Sequence, residues 1–337
     1  MGITPVLHVN PDDFAQEELA SAGRILREGG LVVFPTETVY GLGANALSPE
    51  AARAIYTAKG RPSDNPLIVH LPDLSQLDLL CRDIPRQAYD LFAAFSPGPL
   101  TVILNKQPQV PGVVSGGLDT VAVRIPSHPV AAALLREAAV PVAAPSANRS
   151  GRPSPTRLAH ALEDLDGRVD LMIDGGDCGV GLESTVVSLA GELPVLLRPG
   201  GISLEMLRSV LGEVRVDDAV SHQLAEGQRP MAPGMKYRHY APAAPLTLAQ
   251  GSPADITAWL VARSKEPGTG ILCFDEQRGL FPQADDAAHA HALFDALRSF
   301  DAAGVRAIYG ALPGEQGISL AVRNRLLKAA GHHVVHL

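Results

Sequence analysis

Short apolar runs recur along this chain and alternate with segments of helical periodicity. Residues 31–34, 67–71, 100–104, 121–125, 140–144, 171–174, 185–189 and 195–197 read as strands. Residues 16–28 read as a helix with Leu19, Ala22, Ile25 and Leu26 on one face, stopped by Gly29 and Gly30. Ser48 caps a second helix with Pro49 at its first position, and residues 128–139 and 203–211 predict two more. Such alternation demands helices layered on a sheet. Several connections are too short for a helical crossover, so some strands must pair antiparallel. The expected α/β fold is therefore a twisted mixed sheet with flanking helices. Hydrophobic residues make up 46% and aromatics only 4%, so Val, Ala and Leu must fill the core.

Residues 213–245 lose this periodicity and read as a linker that runs through Met231, Ala232 and Pro233 into Lys236, Tyr237, Arg238, His239 and Tyr240. A long linker with aromatic and basic residues suits a lid over a ligand. Residues 246–337 then predict a small parallel α/β unit: strands at 246–248, 270–274 and 305–309, and helices at 253–264, 288–303 and 317–330. The expected units are 1–212, 213–245 and 246–337.

The formal net charge of -8 argues against a large nucleic-acid interface. Cys81, Cys178 and Cys273 form no CxxC and suggest neither a disulfide framework nor a thiolate zinc site. No apolar stretch approaches the roughly 20 residues that cross a bilayer, so a soluble, cytoplasmic protein with no membrane partner is expected. The histidines show no HExxH spacing, and no Gly-x-Ser-x-Gly elbow occurs.

Two polar turns stand against the strand pattern. Lys59-Gly60-Arg61-Pro62-Ser63-Asp64-Asn65-Pro66 precedes the run at 67–71, and Pro145-Ser146-Ala147-Asn148 follows the run at 140–144. A cation pair and a Ser/Asn turn at strand ends suit a polyanion, with a nucleoside triphosphate the first choice. Asn65 is placed to hold a base, ribose or phosphate oxygen, and His70 ends the next strand. Thr36, Glu37 and Thr38 lie past the strand at 31–34, where they either line a ligand or satisfy a turn. Arg124 interrupts Val121-Ala122-Val123-Arg124-Ile125. It either pairs internally or clamps a carboxylate. Ser146, Asn148, Ser150 and Ser154, with Arg149 and Arg152, form either a phosphate cradle or a surface loop. Ser184 closes a second glycine-rich loop, and Arg198 ends the last strand of the first unit.

Phe34-Pro35-Thr36-Glu37-Thr38-Val39-Tyr40-Gly41-Leu42, Lys59-Gly60-Arg61-Pro62, Pro145-Ser146-Ala147-Asn148, Glu183-Ser184-Thr185-Val186-Val187 and Leu197-Arg198-Pro199-Gly200 together resemble the threonylcarbamoyl-adenylate synthases of the YrdC-like family. The linker and the C-terminal unit resemble the long, two-domain form, whose small unit is Rossmann-like. Ala232 departs from the serine often found there.

The resemblance implies that L-threonine, bicarbonate (or carbon dioxide) and ATP become L-threonylcarbamoyl-AMP and pyrophosphate. It makes the protein a nucleotidyltransferase that works with Mg2+ on ATP. Its product would pass to a threonylcarbamoyl transferase that modifies tRNA. It implies ATP contacts at Lys59, Arg61, Asn65, Thr120, Ser146, Asn148, Ser154 and Arg198, with Tyr237 or Tyr240 closing over the nucleotide. It implies threonine contacts at Thr38, His70, Arg124, Ser184 and the backbone of Ala144. Lys59 and Arg61 are the expected catalytic cations, and no general base is assigned. Two rivals remain: a carbamoyltransferase of the same fold, and an RNA- or tRNA-binding module using Arg149, Arg152 and Arg157.

Overall fold

The computed structural model describes residues 2–222, 230–232, 239–272 and 286–337. Eleven strands build one mixed sheet. They are β1 (Val6–His8), β2 (Val32–Phe34), β3 (Gly41–Asn45), β4 (Ile68–His70), β5 (Leu100–Asn105), β6 (Thr120–Arg124), β7 (Val142–Ala143), β8 (Leu171–Asp174), β9 (Thr185–Ser188), β10 (Val195–Arg198) and β11 (Arg215–Val216). Their spatial order is β1-β8-β2-β3-β7-β4-β6-β5-β9-β10-β11. Parallel pairings such as β4 with β6 and β5 with β9 alternate with antiparallel ones such as β4 with β7 and β5 with β6. The short connections thus have the consequence expected of them.

A second, smaller sheet is wholly parallel. It comprises β12 (Leu246–Gln250), β13 (Thr269–Leu272), β14 (Ala307–Ala311) and β15 (Val334–His336), ordered β13-β14-β12-β15. Its core of Leu246, Leu248, Leu293, Phe294, Leu297 and Leu326 is continuous with Val39 and Leu182 from the large-sheet part of the chain and with Tyr240 from the segment between the two sheets. The two sheets therefore meet through packed apolar side chains beside the site described below.

Four strands escape the periodicity reading. β1 and β15 are short and partly exposed, and β11 lies inside the segment read as linker, where it pairs with β10. β3 is a further addition, the stretch around Gly41 and Gly43 pairing antiparallel with β2. The end of the predicted strand at 273–274, and Tyr237, lie outside the described residues. Among the described residues no helix is long and apolar enough to cross a membrane.

The helix Pro49–Lys59 shows how local chemistry aims the site. Ser48 Oγ accepts the Ala51 amide at 3.1 Å, and Pro49 occupies the first turn. The helix ends at Gly60, whose left-handed φ of 60° reverses the chain. The Arg61 amide then returns to the Tyr56 carbonyl at 3.0 Å. Lys59 and Arg61 are thereby fixed on a stiff turn.

Candidate active site

The sheet brings the carboxyl ends of β4, β6 and β10 together. His70 and Arg124 are register partners on β4 and β6, and Thr101 of β5 faces Arg124 from the other side. Ser184 immediately precedes β9, and Arg198 ends β10. Ligands of open α/β sheets bind at such strand ends. A cavity of about 40 Å³ lies there, lined by Arg61, His70, Arg124, Ala144, Ser146, Ser184, Arg198 and Tyr240, with Val39, Ile68, Pro145, Glu183 and His239 completing its wall. Three guanidinium groups far apart in the chain thus share one enclosure. The volume holds a few waters, and His239 and Tyr240 form part of its wall.

Several of the groups in and behind this wall are anchored to the protein. Arg61 Nη2 reaches the Asn65 and Pro66 carbonyls at 3.4 and 3.2 Å, while its Nε has no hydrogen-bond partner among the described residues. Asn65 is buried, with its Oδ1 likewise unpartnered among them. Arg124 Nη2 lies 2.8 Å from Glu37 Oε2. The internal ion pair expected of Arg124 is present, and Arg124 also lies in the cavity wall. Ser184 Oγ is 2.7 Å from Thr101 Oγ1 and accepts Arg198 Nη2 at 3.2 Å, while Arg198 Nε donates to the Ser184 carbonyl at 3.0 Å. The Ala144 amide donates to the Ile68 carbonyl at 2.9 Å.

Other expected site residues stand behind this wall. Lys59 Nζ donates to the Ser146 and Asn148 carbonyls and so holds the Pro145–Asn148 turn from below. Ser146 Oγ donates to Asn148 Oδ1 at 2.6 Å, and Asn148 Nδ2 donates to the Arg149 and Arg152 carbonyls at 2.9 Å each. The Asn148 amide is committed to shaping the loop. Ser154 Oγ donates to Glu183 Oε1. Thr38 is buried, its hydroxyl 2.9 Å from that of Thr36. Thr120 begins β6, at the strand end opposite Arg124, and does not line the cavity. Tyr240 adopts a left-handed φ of 62° and stacks near Phe294 at 5.3 Å.

Burial sets the protonation states. It pushes the Lys59 ammonium well below the ordinary lysine range, with Arg61 adding to the effect. Burial, then Arg124, lowers His70 to about 3, and burial, then Arg61, lowers His239 to about 3. Both imidazoles are neutral at neutral pH. Burial alone would raise Glu183, but Arg325, then Arg198 and the Ser154 hydroxyl outweigh it and hold the carboxyl below its usual range. Among the described residues no group of three His, Cys, Asp or Glu side chains could hold a metal. Glu183, the one carboxylate in the cavity wall, is already engaged by Ser154 and Arg325. The residues here do not build a magnesium site.

Glu183 and His239 were not singled out by sequence reasoning. Glu183 adjoins Ser184 in a quoted motif, and that adjacency was the available signal. Ala232, where a serine is common, is fully buried against Ile68, Ile103, Val186 and Leu197. Its methyl suits that apolar cluster. The arginines of the RNA-binding alternative are largely neutralised: Arg152 by Glu163 and Asp164, Arg157 by Asp177 and Asp295.

Comparison with known proteins identifies the family. A family model described as "Telomere recombination" (Sua5, YciO, YrdC) matches residues 24–200, and one described as "Threonylcarbamoyl-AMP synthase, C-terminal domain" matches residues 202–331. The threonylcarbamoyl-AMP synthase of Bacillus subtilis is 48% identical over 330 residues, covering 94% of each chain. That of Pyrococcus abyssi is 46% identical over 322 residues, covering 93% of this chain and 94% of the other. The crystal structure of P. abyssi Sua5 complexed with L-threonine superposes with a TM-score of 0.92 at 43% identity, over 99% of this chain and 100% of that one. With matching models across both halves and near full-length relatives, the chain belongs to the threonylcarbamoyl-AMP synthase family.

Proposed function

We propose that the protein is a nucleotidyltransferase that joins L-threonine, bicarbonate (or carbon dioxide) and ATP into L-threonylcarbamoyl-AMP and pyrophosphate. The observation that carries the reading is the convergence of Arg61, Arg124 and Arg198 on one buried cavity beside His70, Ser146 and Ser184. A triphosphate next to an amino-acid carboxylate needs such a set of cations. The complex of P. abyssi Sua5 with L-threonine supports the choice of amino acid.

In this reading Arg124 and Ser184 hold threonine, with its carboxylate on the Arg124 guanidinium. The neutral amine captures carbon dioxide, losing a proton, and the carbamate oxygen attacks the α-phosphorus. The bond to the bridging oxygen breaks and pyrophosphate leaves. Arg61 and Arg198 neutralise phosphate charge, and Lys59 fixes the Ser146 turn against which the nucleotide lies. Positioning and electrostatics supply most of the acceleration in such a transfer. Magnesium enters as the counter-ion of ATP.

Residues 1–212 are the catalytic unit in this reading, residues 213–245 the lid, and residues 246–337 the C-terminal unit. A nucleotide exceeds the present cavity, so the segment bearing His239 and Tyr240 must yield to admit it and then shield the labile anhydride from water. The product would go to a cytoplasmic threonylcarbamoyl transferase that modifies tRNA adenosine. The test is pyrophosphate release. It should require threonine and bicarbonate together, and release that ignores either one refutes the reading.

A further inference from the structure

Arg325 belongs to the helix Ser319–Ala329, which packs with the small sheet, yet its guanidinium ends at the back of the active-site wall. It is 0% exposed. Nε donates to Glu183 Oε2 at 2.8 Å, and Nη2 to the Glu183 carbonyl at 3.3 Å. Nη1 donates to the Pro199 carbonyl at 2.9 Å and to Asn324 Oδ1 at 2.8 Å. The guanidinium carbon lies 5.5 Å from the centre of the Tyr240 ring.

Glu183 and Pro199 are the chain neighbours of Ser184 and Arg198. One planar fork therefore grips two loops, each one residue away from a cavity-lining side chain. The loops are themselves in intimate contact: a Cβ at Gly200 would stand 2.6 Å from the Glu183 carbonyl oxygen. Ser184 and Arg198 then bond to each other, and the remaining Glu183 oxygen receives Ser154. The helix is pinned in turn by Asn324 Nδ2 on the Val220 carbonyl at 2.7 Å. A lysine at 325 would keep the charge but lose the fork that reaches both loops.

The geometry points to Arg325 as a positioning residue of the synthase reaction. It fixes Ser184 and Arg198 through Glu183 and Pro199, so the C-terminal unit completes the active site instead of serving only as a separate binding module. This rests on the reading of Ser184 and Arg198 as threonine and ATP contacts.

The test uses the full chain with Arg325→Lys, Arg325→Met and Glu183→Gln, and with Arg157→Ala as a control. Arg157 bridges to Asp295 at the protein surface and does not line the cavity. Calorimetric Kd values for L-threonine and for ATP are measured on each, beside melting temperatures. Arg325→Lys should weaken both ligands at least tenfold and Glu183→Gln at least threefold, with Arg157→Ala within twofold of the parent. A residue that merely stabilises the fold would lower the melting temperature and leave both Kd values of the folded protein unchanged. That result in Arg325→Lys and Glu183→Gln overturns the inference. If neither Arg325 variant folds, Glu183→Gln decides by itself. A parent chain that binds neither ligand removes the functional reading and this inference together, whereas normal parental binding with unaffected variants removes this inference alone.

Discussion

Arg124 Nη2 and Glu37 Oε2 lie 2.8 Å apart with side chains 5% and 13% exposed, a buried ion pair whose arginine lines the cavity of the candidate site. Its geometry is close but poorly angled, for neither atom makes a well-aligned hydrogen bond. The attraction is mainly one of charge. Glu37→Ala would strand a buried guanidinium, a change that costs about 3–5 kcal/mol. Urea unfolding should register that loss, and a change under about 1 kcal/mol would show that Arg124 does not depend on Glu37.

Arg61 is tied to the protein by long bonds to two carbonyls, at 3.2 and 3.4 Å. Arg61→Ala should therefore lower stability by no more than about 1.5 kcal/mol. Pyrophosphate release should fall at least about a hundredfold, the scale on which loss of one charge-stabilising donor acts. Near-parental turnover by a folded Arg61→Ala protein would take Arg61 out of the phosphate site.

Thr101 Oγ1 orients Ser184 Oγ across a 2.7 Å contact. Thr101→Val keeps the shape and deletes that hydroxyl. The KM for threonine should rise roughly fivefold, equivalent to about 1 kcal/mol, while the melting temperature moves little. Equal KM values for the two proteins would show that Ser184 needs no such support.

Stability should decline on acidification before the carboxylates titrate. His70 and His239 have folded values near 3, below the ordinary 6.5. Between those limits the unfolded chain takes up protons that the folded one refuses, so stability is fully present above pH 6.5 and drains away as pH falls. Each group contributes a slope of about 1.4 kcal/mol per pH unit. Unfolding free energies at pH 7, 6 and 5 measure it, and His70→Asn should remove about 1 kcal/mol per pH unit of the slope between pH 6 and 5, leaving the shares of His239, His128 and His332, which burial lowers likewise. A parent curve flat from pH 7 to 5 contradicts the burial of both rings.

Gly181 has a φ of 76°, and a Cβ there would stand 2.4 Å from His291 Cα. The close approach seats the helix Asp286–Ala302 against the loop that carries Ser184. Gly181→Ala should cost about 1–3 kcal/mol or more by overpacking and backbone strain. Limited proteolysis should then separate the two sheets faster than in the parent. Parental protease resistance would show that the contact is not needed for docking.

Part of the cavity lining was legible from the strand pattern: His70 and Arg198 end apolar runs, Arg124 interrupts one, and Arg61, Ser146 and Ser184 sit in polar turns beside them, whereas Ala144 and Tyr240 were named through the family resemblance. A strand pattern marks where a chain emerges from a sheet, and polar residues at those points stand out. Glu183 did not stand out as a functional group, because its partner Arg325 lies 142 residues away and no local pattern reports so distant a pair. The helices Arg86–Phe95 and Leu158–Leu165 were also passed over. Each begins without a side-chain cap, on Pro85 and Arg157, so the usual starting signal is missing. β11 and β15 are too short for alternation to register.

The 142-residue gap between Glu183 and Arg325 has a temporal meaning as well. Ribosomes extend a chain at about 5–20 residues per second, so the carboxylate is made roughly 7–28 s before its guanidinium. Throughout that interval the large sheet must leave this acid hydrated or neutral. Nascent protein therefore passes through a stage in which most of its strands exist but the cavity wall at Glu183 is still open to solvent.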